Sequence, residues 1–135
     1  MVMKNIKRKA RTLIKVWGTA NPFKLAEYLK IIIIYADLGE IKGYSIKRLR
    51  KKLICINENL SDFDKMVVCA HELGHCCCHD ISDMAFLLNR TQLIKKSILE
   101  NEANAFASEL LKDYEDYTYD SKISFDILEK IKKKK

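Results

Sequence analysis

Ser61-Asp62-Phe63-Asp64-Lys65-Met66-Val67-Val68-Cys69-Ala70-His71-Glu72-Leu73-Gly74-His75-Cys76-Cys77-Cys78-His79 is the stretch on which the reading of this chain turns. Ser61 with Asp64 three positions on is a capping-box-like start, and the run behind it is helical in period. His71 and His75 stand at i and i+4, so both imidazoles project from one helix face, one turn apart. Two such rings can reach a single ion at about 2.0–2.1 Å, a spacing that suits zinc. At roughly 100° per residue, Asp64, Val68, His71, His75 and Cys78 share one stripe. Phe63, Met66, Val67, Ala70, Gly74 and Cys77 form an apolar stripe beside it. Glu72 is expected at the rim of the histidine stripe, outside the core, where a carboxylate can take a proton from the attacking water. Gly74, between the histidines, costs a helix about 1 kcal/mol relative to Ala and points to something packed close against it.

A catalytic zinc needs a third protein ligand and an open position. The second long helix, expected over residues 97–111, offers Glu100 and Glu102. Glu100 and Asn104 share a face at i and i+4, whereas Glu102 is turned by about 200° from Glu100 and should point elsewhere. Glu100 is therefore the better ligand. Asn104 is placed to hold a ligating histidine or the Glu100 carboxylate by a hydrogen bond. His79, two turns beyond His71, reads as a structural histidine.

Outward from these helices, Ile6, Ala10, Leu13, Ile14 and Trp17 recur at helical spacing and Gly18 is placed to end that helix. Asn21-Pro22 supplies an N-cap and a first-turn proline for a short helix through Leu29. Residues 31–36 are apolar and rich in β-branched side chains, which predicts a buried strand, and two short strands follow at 43–46 and 52–57. A last helix carries Ile123, Ile127, Leu128 and Ile131 on one side. The expected fold is α+β, with about five helices around a small sheet of about three strands, in a single domain over residues 1–135.

The composition narrows the class further. The chain has 135 residues, 25 Lys and Arg against 18 Asp and Glu, a net charge of +7, four Gly, one Pro and five Cys. An odd cysteine count with three in a row argues against a disulfide scaffold and for a reducing compartment. No apolar run approaches the length of a bilayer span and no signal-like segment follows the early basic residues, so a cytoplasmic protein without membrane contact is expected. Three adjacent helix positions point in three directions and cannot together clamp one ion, so Cys76, Cys77 and Cys78 read as small packing residues. Cys77 is expected in the core, Cys76 away from the histidine stripe, and Cys78 alone near the metal side, where oxidation would put the site at risk.

The stretches Gly18-Thr19-Ala20-Asn21-Pro22-Phe23, Ile54-Cys55-Ile56-Asn57, Ala70-His71-Glu72-Leu73-Gly74-His75 with His79, and residues 100–111, in that order, resemble the ImmA/IrrE family of HExxH metallopeptidases. The resemblance implies a zincin-like core with Zn2+ held by His71, His75 and Glu100 and with Glu72 as the catalytic base. It also implies a cytoplasmic endopeptidase that cleaves a helix-turn-helix repressor and so derepresses genes of a mobile element or prophage. An alternative from another class is a metal-stabilised regulator that binds DNA or a repressor without proteolysis. Its support is the basic surplus and the Leu25-Ala26-Glu27-Tyr28-Leu29 segment, but the strand-like residues that follow leave no recognition helix for the major groove. Direct nucleic-acid binding is therefore not expected.

Overall fold

A computed structural model describes residues 2–79, 81 and 93–112. Among these residues four helices and three strands run in the order α1 (Val2–Trp17), α2 (Pro22–Tyr28), β1 (Ile32–Ala36), β2 (Gly43–Arg48), β3 (Lys51–Asn57), α3 (Asp62–Cys78) and α4 (Leu93–Leu111). The fold is α+β, as the residue patterns predict. The terminal helix expected around Ile123–Ile131 lies outside the described residues.

The helix boundaries follow from local chemistry. Gly18, at φ +73°, ends α1 while its N–H donates to the Ile14 carbonyl. Asn21 Oδ1 accepts from the N–H groups of Phe23 and Lys24, and Pro22 occupies the first turn of α2. Ser61 Oγ accepts from Asp64 N–H at 3.1 Å to open α3. At its other end the Lys52 ammonium, reaching over from β3, donates to the Cys76 carbonyl.

The sheet has the order β1-β3-β2, with β1 parallel to β3 and β2 antiparallel to it. Strand β1 departs from expectation in its burial. Because it lies on an edge, Ile32, Ile34 and Tyr35 are 41–48% exposed, and only Ile31 just before the strand is buried. A continuous apolar run thus fills an edge strand with one covered face. Strand β2 also runs two residues further than its apolar pattern suggests, to the register pair Arg48 and Lys51. The turn between them is Leu49-Arg50, with φ of 48° and 71°, the mirror-image geometry that suits a twisted hairpin and that Asn-Gly normally signals.

Beneath the sheet, α3 is enclosed on two sides. Val67, Cys69, Ala70, Leu73 and Cys76 are all essentially inaccessible, together with Ala103, Phe106, Ala107 and Leu110 of α4. Gly74 sets how close the two helices lie. A Cβ there would stand 3.1 Å from Phe106 Cβ and 3.2 Å from both the Cα and the carbonyl oxygen of Ala103. The close contact inferred from a glycine between two histidines is α4 itself. Helix α1 closes the far side of α4, where Arg11 meets Glu109 at 3.3 Å.

Enclosure on two sides changes which positions are buried. Cys76 is buried and Cys77 half-buried, the reverse of the expectation from a single apolar stripe. Glu72 is likewise 8% exposed and not at a rim, because β2 lies over it.

Candidate metal centre

Helix α3 presents His71 and His75 on one face, and the approach of α4 at Gly74 brings Glu100 opposite them. His71 Nε2 lies 2.9 Å from Glu100 Oε1, and His75 Nε2 lies 3.1 Å from Glu100 Oε2. The two rings meet edge to face with centroids 5.0 Å apart. Candidate ligand atoms of His71, His75 and Glu100 all fall within 4.8 Å of one another, and no other group of this kind occurs among the described residues.

This donor set fits a zinc ion. Ligands at about 2.0–2.2 Å in tetrahedral array are separated by about 3.3 Å, so the two nitrogens and the carboxylate need to part by only a few tenths of an ångström. Two neutral imidazoles and one carboxylate make three ligands and leave the fourth position open, as a catalytic site requires.

The electrostatics show how strongly the three groups interact. Burial pushes the Glu100 carboxyl up, but the His71 and His75 hydrogen bonds and charges outweigh it and hold the group well below the usual carboxylate range. Burial pushes the His71 imidazole down, yet the Glu100 hydrogen bond, the Glu72 and Glu100 charges and Asn104 as an acceptor beside the ring raise it overall. Asn104 is buried on α4, at 7% exposure.

Glu72 projects towards the sheet side of the same helix turn. Ser45 Oγ, on β2, donates to Glu72 Oε1 at 2.9 Å in a buried contact. Ser45 was not visible as a site residue in the sequence, where it is one polar position in a short strand. Its only signal is that it is a polar side chain on the inward face of an otherwise apolar pairing.

His79 and Glu102 are drawn into the neighbourhood as well. His79 caps α3, with Nδ1 2.9 Å from His75 Nδ1 and Nε2 2.8 Å from Glu102 Oε1. Glu102 does point away from the three-residue cluster, as its 200° offset requires, but it points onto His79. Tyr44 pairs in register with Cys55, and strand alternation puts it on the face of β2 opposite Ser45. Cys78 does not belong to the cluster; it packs against the apolar core.

A pair of histidines one helical turn apart, a facing carboxylate on a second helix and an acidic residue beside the first histidine define a metallopeptidase-type centre. The chain belongs to the Peptidase M78 family, whose model, the IrrE N-terminal-like domain, matches residues 26–134. It is 42% identical over 107 residues to uncharacterized immunity region protein 2 of Bacillus phage phi105, covering 78% of this chain and 67% of that protein. It is 38% identical over 110 residues to metallopeptidase ImmA of Bacillus subtilis strain 168, covering 80% of this chain and 63% of the relative. The chain therefore spans about two thirds of the length of the curated relatives it matches. No solved structure matches it. Among the described residues, no helix is long and apolar enough to cross a membrane.

Proposed function

We propose that the protein is a zinc-dependent endopeptidase, with the metal held by His71, His75 and Glu100 and with Glu72 as the catalytic base. The observation that carries this reading is the convergence of the three donors within 4.8 Å beside a buried carboxylate that a serine holds in place. When bound, the metal supplies Lewis acidity, which makes water acidic enough to attack at neutral pH and polarises the scissile carbonyl. Glu72 takes the proton of the attacking water and delivers it to the departing amine. Ser45 fixes one carboxylate oxygen, so the other is directed at the reacting water. Asn104 and the buried helix packing hold the His71 ring in its ligating orientation.

Strand β2 runs past Glu72 and pairs only with β3 among the described residues. An extended substrate adds to its open edge by backbone hydrogen bonds, which brings a peptide bond alongside the site. The name of one relative places it in a phage immunity region, and we carry that setting to this chain. The substrate is then a regulatory protein of the helix-turn-helix repressor type, cleaved in the cytoplasm so that the genes it silences are released.

The test is to purify the protein, determine zinc per chain, and incubate it with the repressor encoded nearest its gene, mapping products by mass spectrometry. One equivalent of zinc and a discrete cut that Glu72→Gln abolishes are expected. Less than half an equivalent, or cleavage that survives Glu72→Gln, overturns the proposal.

A further inference from the structure

We propose that His79 and Glu102 are positioning residues that fix the tautomer and orientation of His75, so that its Nε2 lone pair faces the metal site. This rests on the reading of His71, His75 and Glu100 as zinc ligands, and it assigns work to two residues outside that set.

An ionised Glu102 can only accept hydrogen bonds, so the His79 nitrogen 2.8 Å away, Nε2, carries a hydrogen and donates it. A neutral imidazole that donates through Nε2 has a bare Nδ1. His79 Nδ1 is therefore an acceptor, and the nitrogen 2.9 Å from it, His75 Nδ1, must be the donor. With a hydrogen fixed on Nδ1, Nε2 is the nitrogen left to offer a lone pair to a cation, which would take the place of the hydrogen that bridges Nε2 to Glu100 Oε2 at 3.1 Å inside the donor cluster. One carboxylate on α4 thus dictates, through two rings in sequence, which nitrogen α3 offers to a cation.

Burial makes the dictation effective. The side chains of His75, His79 and Glu102 are 6%, 5% and 12% exposed, so water does not readily stand in for any member. The His75 and His79 rings lie with centroids 5.1 Å apart at a 50° tilt, which lets one nitrogen of each face the other. Helix α4 therefore serves the centre twice, offering Glu100 to the ligand cluster and Glu102 to the histidine behind it.

The experiment measures zinc affinity by competition with a chromophoric chelator on the full chain, and the His75 tautomer by long-range proton–nitrogen NMR on the zinc-loaded protein. Wild type, His71→Ala, His79→Ala, His79→Gln, Glu102→Gln and Glu102→Ala are compared, each checked by circular dichroism. Loss of the outer partner of a ligating histidine typically weakens metal binding 10–100-fold, so His79→Ala and Glu102→Ala are expected to fall in about that range. The Gln side chain can still accept from His75 Nδ1–H, so His79→Gln should recover part of the affinity. Wild type should show the hydrogen on His75 Nδ1.

The failures are separable. If wild type binds no zinc, or His71→Ala binds it as tightly as wild type, the ligand assignment falls and this inference with it. If wild type binds and His71→Ala does not, but Glu102→Ala and His79→Ala bind within twofold of wild type, the positioning role alone is overturned. Should His79→Ala fail to fold, Glu102→Ala decides. It removes the acceptor that a glutamine would retain, and unchanged affinity with an unchanged His75 tautomer overturns the proposal.

Discussion

Ser45 Oγ donates to Glu72 Oε1 at 2.9 Å, and this buried contact ties the sheet to the helix that carries both histidines. Because Glu72 is 8% exposed, an oxygen that loses this donor is not fully repaid by water. Ser45→Ala therefore leaves a carboxylate free to turn. A loss of about 1–2 kcal/mol in carboxylate placement corresponds to roughly 5- to 30-fold in rate. The expected result is a fall of that order in kcat on the proposed substrate, with zinc per chain unchanged. An unaltered kcat would show that Ser45 does not hold the base.

Gly74→Ala tests how the two halves of the candidate site are brought together. The added Cβ meets Ala103 Cα and O at 3.2 Å, which are backbone atoms, and Phe106 Cβ at 3.1 Å. None of these can swing aside as the tip of a long side chain would, so α4 must shift away from α3. Overpacking of this kind costs about 1–3 kcal/mol, against a gain of about 1 kcal/mol in helix propensity. Since Glu100 and Glu102 ride on α4, the shift should also weaken zinc binding. A thermal melt and a chelator competition on the same variant check both effects; a variant as stable as wild type, with equal zinc affinity, would contradict the close-contact role.

What the sequence makes legible is the side of a helix a residue lies on, which depends on that helix alone. His71 and His75 follow from 3.6-residue periodicity alone, and Glu100 with Asn104 follows from the same rule on the second helix. What could not be read is whatever depends on how separate elements pack. Glu72 and Cys76 were misplaced because a helical wheel assumes one covered side, whereas α3 is covered by both β2 and α4. Ser45 was invisible because only the sheet's register brings it onto Glu72. His79 and Glu102 each read as isolated; their meeting depends on the angle and depth at which α4 crosses α3. Strand β1 was recognised by its β-branched run, but edge or centre is a property of the sheet's order and not of the strand.

Glu109 offers a pH-dependent test of how α1 is held against α4. Burial pushes its carboxyl up, but hydrogen bonds and charge from Lys112 and Arg11 prevail and depress it below the ordinary value. A depressed carboxyl contributes stability that is present above the unfolded-state value of about 4.3 and is lost as pH falls through the folded one. Both cations are about half exposed, so screening keeps the contribution small, of the order of 0.5–1 kcal/mol. Glu109→Gln should lower the melting temperature modestly at pH 7, and the gap should close as the pH drops below about 4. A gap that is constant across this range would mean that the ion pairs contribute nothing.

Three thiols beside a metal site suggest vulnerability to oxidation, but burial pushes Cys76 up to about 12 and Cys78 up to about 11, and raises Cys69 and Cys77 as well. The thiolate is the reactive form, and at pH 8 a thiol titrating near 11 is ionised to roughly one part in a thousand. Cys69 and Cys76 are also inaccessible, at 0% and 1% exposure. Reaction of Cys69 and Cys76 with a thiol reagent should then be limited by opening of the fold, at least a hundredfold slower than in denaturant, and zinc loss under mild peroxide should follow unfolding instead of preceding it. Stopped-flow modification with site mapping by mass spectrometry checks the first expectation, and a zinc indicator monitored alongside circular dichroism checks the second. Rapid zinc release from a protein that is still folded would show that a cysteine, and not the histidine and glutamate donors alone, keeps the site intact.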